Sequence, residues 1–177
     1  ALVFGMLSAL AAFYRRTVLI AEDRLRKQAT LDPLTGLNNR RHFETLATHV
    51  LARSQRDGTP VALLLCDVDP FKRVNDEHGH AVGDEVLIAM SRLLGHNLRD
   101  GDVLARWGGE EFLALMPACP LDNACAVAER IRAAVHATPV DVGTASLTIT
   151  LSFGVAQVHG AADLQAAIAR ADKALYE

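Results

Sequence analysis

Four carboxylates and two glycines carry most of the chemistry latent in this chain. Gly108-Gly109-Glu110-Glu111-Phe112 sets two acids directly after a glycine pair that can turn tightly at positive φ. Val103-Leu104-Ala105-Arg106-Trp107 precedes it and an apolar run from Phe112 to Met116 comes after it. The pattern predicts a β-hairpin with paired acids at its tip. Asp67 and Asp69 add two more carboxylates, at the end of the apolar run Val61 to Cys66. Side chains alternate along a strand, so Asp67 and Asp69 share one face and Val68 takes the other. Hard divalent cations take carboxylate oxygens, so these acids suit a metal ion and nucleotide phosphate. The five hairpin residues also fit a plain turn with a solvated acidic tip, and Asp67 also fits a cap or turn acid.

Asn75, His80 and Asp84 surround the glycines Gly79 and Gly83. Asn offers a donor and an acceptor, whereas an ionised Asp only accepts. Guanine carries N1–H and an exocyclic amine on one edge, which an Asp can accept from; adenine has neither there. A buried carboxylate left unpaired rejects the wrong base. Asp84 also fits a first-turn acid facing a helix dipole, and His80 fits a structural loop residue.

The elements that must position these groups can be read from periodicity. Asp32 to Asn39 is loop chemistry, with Pro33, Gly36 and a polar pair. Arg40 to Arg53 reads as a helix with Phe43, Leu46, Val50 and Leu51 on one side, broken by Arg56-Asp57-Gly58-Thr59-Pro60. Val61 to Cys66 is a strand buried on both faces. A helical turn over Phe71 to Asn75, a loop over His78 to Gly83 and a helix through Val86, Met90, Leu93 and Asn97 come next. After the hairpin, Asp122 can cap a helix whose inner face is Cys125, Ala128, Ile131 and Val135. Thr148 to Val158 alternates, with Ile149, Leu151, Phe153 and Val155 on one face. Asp163 opens a last helix with Leu164, Ile168, Ala171 and Leu175 inward. The order predicts an α+β domain on a largely antiparallel sheet with packed helices, in a ferredoxin-like, palm-type arrangement. No internal repeat or low-complexity stretch interrupts it.

The 177 residues suggest one domain plus appendages, and the half that is hydrophobic suffices for a sizeable core. A net charge of −3 offers no basic surface for DNA or RNA, so a phosphate chemistry must rest on local donors and metal. Cys66, Cys119 and Cys125 are an odd set without Cys-x-x-Cys spacing, which argues for a reducing compartment; Cys66 reads as buried. Residues 1–16 combine an apolar run with Arg15-Arg16. The run, residues 1–14, is short of the roughly 20 a bilayer takes. It reads as the inner end of a transmembrane helix, with the arginine pair placing the rest of the chain in the cytoplasm, beside the inner membrane. A buried or amphipathic helix of a soluble domain is the alternative. Residues 17–31 form a linker: Val18, Ala21 and Leu25 fit a short signalling coiled coil or a plain connecting helix. The chain opens on Ala1 and stops inside a helical pattern, so a fragment of a longer protein is expected.

Together these residues resemble one family. Asp32-Pro33-Leu34-Thr35-Gly36-Leu37-Asn38-Asn39-Arg40, Asp67-Val68-Asp69-Pro70-Phe71-Lys72-Arg73-Val74-Asn75-Asp76, Gly79-His80-Ala81-Val82-Gly83-Asp84, the Gly-Gly-Glu-Glu-Phe run and Ser152-Phe153-Gly154-Val155-Ala156 look like the GGDEF-domain diguanylate cyclases. The resemblance runs from about Thr30 to the last residue, so residues 32–177 are the expected catalytic domain, cut within its last helix. It implies that two GTP molecules are joined into cyclic di-GMP by a homodimer of half-sites, with two pyrophosphates released. It implies Mg²⁺, or Mn²⁺ in its place, held by Asp67, the Val68 carbonyl and Glu110. Asn75 and Asp84 would read guanine with His80 nearby, and the backbone around Phe71 and Lys72 would receive the terminal phosphates. Glu110 would activate the 3′-hydroxyl, and Glu111 is required by the signature. Arg99-Asp100-Gly101-Asp102 stands five residues before Gly108, as in the family's product-inhibition site, with Arg130 as a second arginine. A surface turn with a local ion pair is the alternative there. The family's phosphate-binding lysine and basic end would lie past Glu177. Two other readings compete: an idle GGDEF module that binds cyclic di-GMP or GTP and only signals, and another palm-type enzyme such as an adenylyl cyclase. The intact acids weigh against the first, Asn75 and Asp84 against the second.

Overall fold

The computed structural model describes residues 14–16, 30–143 and 146–175. The expected membrane segment and almost all of the linker helix lie outside the described residues. Among the described residues no helix is long and apolar enough to cross a membrane.

A five-stranded sheet organises the domain. Its strands are β1 (Asn38–Asn39), β2 (Val61–Asp69), β3 (Val103–Arg106), β4 (Glu111–Pro117) and β7 (Thr150–Val158), in the order β1-β3-β4-β2-β7. Only β1 and β3 pair in parallel; the other neighbours are antiparallel. A separate ladder joins β5 (Val140–Asp141) to β6 (Ser146–Leu147). The helices are α1 (Arg40–Asp57), α2 (Phe71–His78), α3 (His80–Asn97), α4 (Leu121–Ala137) and α5 (Leu164–Leu175).

β2 lies between β4 and β7, and its alternation splits the core in two. Ala62, Leu64, Cys66 and Val68 pack with Val86, Met90 and Leu94 of α3 and Ile131 of α4. Val61, Leu63 and Leu65 face the other way, onto Phe43 and Leu51 of α1 and Ala167 and Ala171 of α5. Burying one such side chain contributes roughly 1.5–3 kcal/mol, so the two layers together fix the sheet between its helices. Asp67 and Asp69 fall on the face of Leu65, as the alternation predicts, where the layer of helices ends. On β7, Gly154 lets α5 cross at close range: a Cβ there would overlap the Ala171 carbonyl oxygen.

Several local expectations are corrected. The segment His78 to Gly83 is not a loop. Gly79 alone breaks the chain, at φ 83°, and α3 starts at His80 with the Gly83 amide bonded to the Gly79 carbonyl at 3.2 Å. α1 runs on to Asp57 and stops at left-handed Gly58, while Asn39 caps its start by accepting the His42 amide at 2.9 Å. Pro120, not Asp122, occupies the cap position of α4, and Asp122 sits in its first turn. Ala124 takes the inner place expected of Cys125, which is exposed; Cys125 lies about a quarter-turn off the stripe through Ala128, Ile131 and Val135. β7 begins at Thr150 rather than Thr148. All three cysteines are free, and Cys66 is buried as expected.

Candidate active site

Asp67 is the centre of the site. Strand pairing sets it between Glu111 of β4 and Ser152 of β7. The Ser152 hydroxyl donates to Asp69 Oδ2 at 2.7 Å and fixes the second carboxylate on the same face. Burial pushes the Asp67 carboxyl up, and the fields of Glu110, Glu111 and Asp69 add to it, to about 6. Burial is the larger cause, and the neighbouring acids add a negative field that a cation would relieve. Burial, with Asp67 and Asp69 beside it, also raises the Cys66 thiol well above its ordinary range, so it stays an un-ionised core residue.

The turn bearing Glu110 departs from expectation. Neither Gly108 nor Gly109 adopts positive φ. Gly108 gives its space to the Glu111 side chain instead: a Cβ there would overlap Glu111 Oε2 unless that carboxylate turned away. The turn closes when the Trp107 and Gly108 amides both donate to the Glu111 carbonyl, at 2.8 and 3.3 Å. Glu111 is therefore part of the turn's own packing, while Glu110 is presented by it.

Residues not singled out from the sequence brace this turn. Arg106 donates to the Gly109 carbonyl from Nη2 at 2.7 Å and from Nε at 3.2 Å. Its Nη1 lies 3.3 Å from both oxygens of Asp32. The pair is shielded, with side chains 18% and 17% exposed. Burial raises the Asp32 carboxyl, but the Thr35 hydroxyl and amide and the Arg106 guanidinium outweigh it and hold it below the usual range. Trp107 is pinned from outside: the Arg40 guanidinium lies 4.2 Å over its ring and Phe43 meets it edge-on at 5.8 Å. The sequence signal was Arg106 itself, a long cation two residues before the glycines in an otherwise apolar strand.

The base-reading candidates gather on α2 and the first turns of α3. Asn75 is half-buried, with its carboxamide over buried Gly83; Asp84 follows Gly83 and is exposed, as is His80. Phe71 and Lys72 open α2, whose start has no side-chain cap. Their amides are among those that helix geometry leaves without an acceptor, which suits an anion. Val68 is buried, its side chain in the core and only its backbone available to the acidic end of β2. Among the described residues no three His, Cys, Asp or Glu side chains converge as a ready ligand shell. The oxygens of Asp67, Glu110 and the Val68 carbonyl are donors of the hard kind that Mg²⁺ takes, one or two carboxylates at a time.

Arg99, Asp102 and Arg130 do come together. They line one cavity of about 290 Å³, with Cys119 and Asn123 also in its wall. Asp102 Oδ2 accepts the Arg99 amide at 2.9 Å, and Arg130 Nη2 donates to the Asn97 carbonyl at 2.7 Å. Burial and Asp102 raise the Cys119 thiol, against a lowering by Arg99.

Comparison with known proteins agrees with this layout. Residues 29–177 match the family described as diguanylate cyclase, GGDEF domain. Diguanylate cyclase DgcP of Pseudomonas aeruginosa is 43% identical over 155 residues, 88% of this chain and 23% of that protein. Response regulator PleD of Caulobacter vibrioides is 40% identical over 158 residues, 88% of this chain and 35% of that protein. The chain thus spans about a quarter to a third of these relatives. The crystal structure of the coiled coil and GGDEF domain of DgcB from Caulobacter crescentus, in complex with c-di-GMP, superposes with a TM-score of 0.82 at 28% identity, over 97% of this chain and 92% of that one. A five-stranded sheet with Asp67 and Asp69 at the end of its interior strand β2, and a family match over most of the chain, lead to one conclusion: this chain belongs to the diguanylate cyclase GGDEF-domain family.

Proposed function

We propose that this chain is a diguanylate cyclase: it condenses two GTP into cyclic di-GMP and releases two pyrophosphates. The observation that carries the reading is the crowding of Asp67 by Glu110, Glu111 and Asp69, which leaves negative charge to be neutralised where phosphates would bind. Asp67, the Val68 carbonyl and Glu110 would hold Mg²⁺ (or Mn²⁺), which when bound neutralises charge on the phosphates and aligns the attacking and leaving oxygens.

The residues of the chain do the rest. Asn75 and Asp84 orient the guanine, with His80 beside them. The Phe71 and Lys72 amides receive the terminal phosphates. Glu110 accepts the proton of the 3′-hydroxyl as its oxygen bonds to the α-phosphorus of the other GTP; the bond to pyrophosphate breaks. The same exchange repeated in the opposite sense closes the ring, without water or redox change. One domain holds one GTP, so two must face each other as a homodimer. Glu111 holds the turn.

Arg99, Asp102 and Arg130 form the product site in this reading, supported by their shared cavity. The apolar run before Arg15-Arg16 supports an inner-membrane anchor with a cytoplasmic catalytic domain, and the coiled coil that precedes the GGDEF domain of DgcB supports a signalling role for residues 17–31. The decisive test is incubation with GTP and Mg²⁺. Cyclic di-GMP and pyrophosphate should form from GTP and no cyclic dinucleotide from ATP; a linear product, or none, would sink the reading.

A further inference from the structure

We propose that Gly83 is a specificity-determining position: its missing side chain is the seat of the Asn75 carboxamide, and through Asn75 it sets the preference for guanine. The inference rests on the assignment of Asn75 to the base site made above.

Gly83 is buried in the first turn of α3 with helical neighbours on both sides. It is not at positive φ, so no turn requires a glycine there. Glycine costs a helix about 1 kcal/mol relative to alanine, so an interior glycine without a backbone reason calls for a spatial one. The space is taken by Asn75. A Cβ on residue 83 would overlap Asn75 Oδ1 and lie 3.1 Å from Asn75 Cγ. The next neighbour is the tip of the Phe71 ring, at 3.2 Å. Asn75 comes from α2, so its carboxamide rests on the backbone of α3 at the residue before Asp84. The two residues assigned to the base thus come from two helices that meet at Gly83. An alanine at 83 would lift the amide off the helix without touching Asp84, the carboxylates around Asp67 or the Arg106 clamp.

A double-variant cycle tests this, using Gly83→Ala, Asn75→Ala and both together in the full chain. Binding of α,β-methylene-GTP and α,β-methylene-ATP with Mg²⁺ is measured by calorimetry, and Tm by thermal melting. Gly83→Ala should weaken the guanine ligand about tenfold, the scale of one lost polar contact, and leave the adenine ligand unchanged. With Asn75→Ala already present, Gly83→Ala should change neither affinity and should raise Tm, because only the tip of the Phe71 ring then has to yield, by a few tenths of an ångström, to an alanine that favours the helix. The Phe71 contact is common to both backgrounds and cancels. Equal losses for both bases or in both backgrounds, or an unfolded double variant, would show that Gly83 serves helix packing only. An unchanged guanine affinity in Gly83→Ala, with Asn75→Ala impaired, would overturn the inference alone. An Asn75→Ala variant that keeps full guanine preference would overturn the base-site assignment and this inference together.

Discussion

The two ends of β3 differ in how firmly they are held. The strand is four residues long, about 13 Å. At its far end, the turn carrying Glu110 is fixed by Arg106 on the Gly109 carbonyl, by Asp32 behind Arg106, and by Arg40 and Phe43 on Trp107. At its near end, Arg99 and Asp102 form a self-contained turn, joined by the Asp102 amide on the Arg99 carbonyl and the Arg99 amide on the Asp102 carboxylate. The difference follows from charge. Glu110 and Glu111 are held against Asp67, which repels them, so the turn must be braced from outside. Arg99 faces an open cavity and meets no such opposition. Like charges held together need a scaffold; an arginine beside an open cavity does not.

The largest effect should come from the repelling charges themselves. Asp67→Asn and Glu110→Gln should each lower turnover by at least about 100-fold, the scale of losing one fixed electrostatic partner at a reaction centre. Neither should unfold the domain. The sign of the pH dependence follows from the raised Asp67 carboxyl, whose ordinary value is 3.8 and which stands at about 6 here. A raised folded-state value contributes stability that is full below the unfolded value and lost as pH rises through the folded one. Metal-free protein should therefore lose stability between about pH 4 and pH 6.5, a slope that Asp67→Asn removes. A melting curve set with the same slope in both proteins would show that Asp67 is not crowded. Glu110→Gln should move the Asp67 titration, followed by NMR, downward towards 3.8.

Removing the brace comes next. Arg106→Ala takes the cation from shielded Asp32, which keeps only its Thr35 hydrogen bonds, and frees the Gly109 carbonyl, so it should cost about 1–3 kcal/mol of stability and lower kcat more than it raises KM. If kcat were unchanged in a folded Arg106→Ala variant, the turn would need no clamp and the contrast between the ends of β3 would fail.

Arg40→Ala touches only the outer layer. It removes one cation over one indole, worth about 0.5–1 kcal/mol at an exposed site, and the exposed Arg40–Glu44 ion pair, worth about 0.5 kcal/mol at most. Denaturant melts should register that loss, with kcat falling by less than in Arg106→Ala; an equal or greater loss of activity would make the aromatic contact, not the guanidinium clamp, the principal brace.

The smallest effect on the uninhibited enzyme should come from the unbraced end. Arg99→Ala should leave stability and initial rate nearly unchanged while raising the cyclic di-GMP concentration needed for inhibition. Inhibition that is absent in the wild type, or that vanishes with excess GTP, would reduce Arg99 and Asp102 to a surface turn.

The carboxylates were legible in the sequence because strand alternation is strict: an apolar run ending Asp67-Val68-Asp69 puts both acids on one face wherever the strand lies. The reason for the glycines was not. Positive φ was the local expectation for Gly108, yet it lies at ordinary φ, and the Glu111 carboxylate occupies the space of its missing side chain, a contact between neighbours that only the folded turn makes. The stretch His78 to Gly83 reads as a loop since two glycines frame it, but the Gly79 break suffices and the helix starts at once. β1 has no legible pattern at all, being two asparagines recruited by β3.

The sequence by itself determined the chemistry available here: acids at a strand end, a glycine-framed Asn and Asp, an arginine turn five residues before the signature. Types and spacings are local, and periodicity projects them onto faces. Only the tertiary structure decided what holds them. Arg106 finds Asp32 across 74 positions, Ser152 finds Asp69 across 83, and Asn75 settles on the helix that begins after the next glycine. Such partners are chosen by where the sheet and its helices bring side chains together, and no local rule carries that information along the chain.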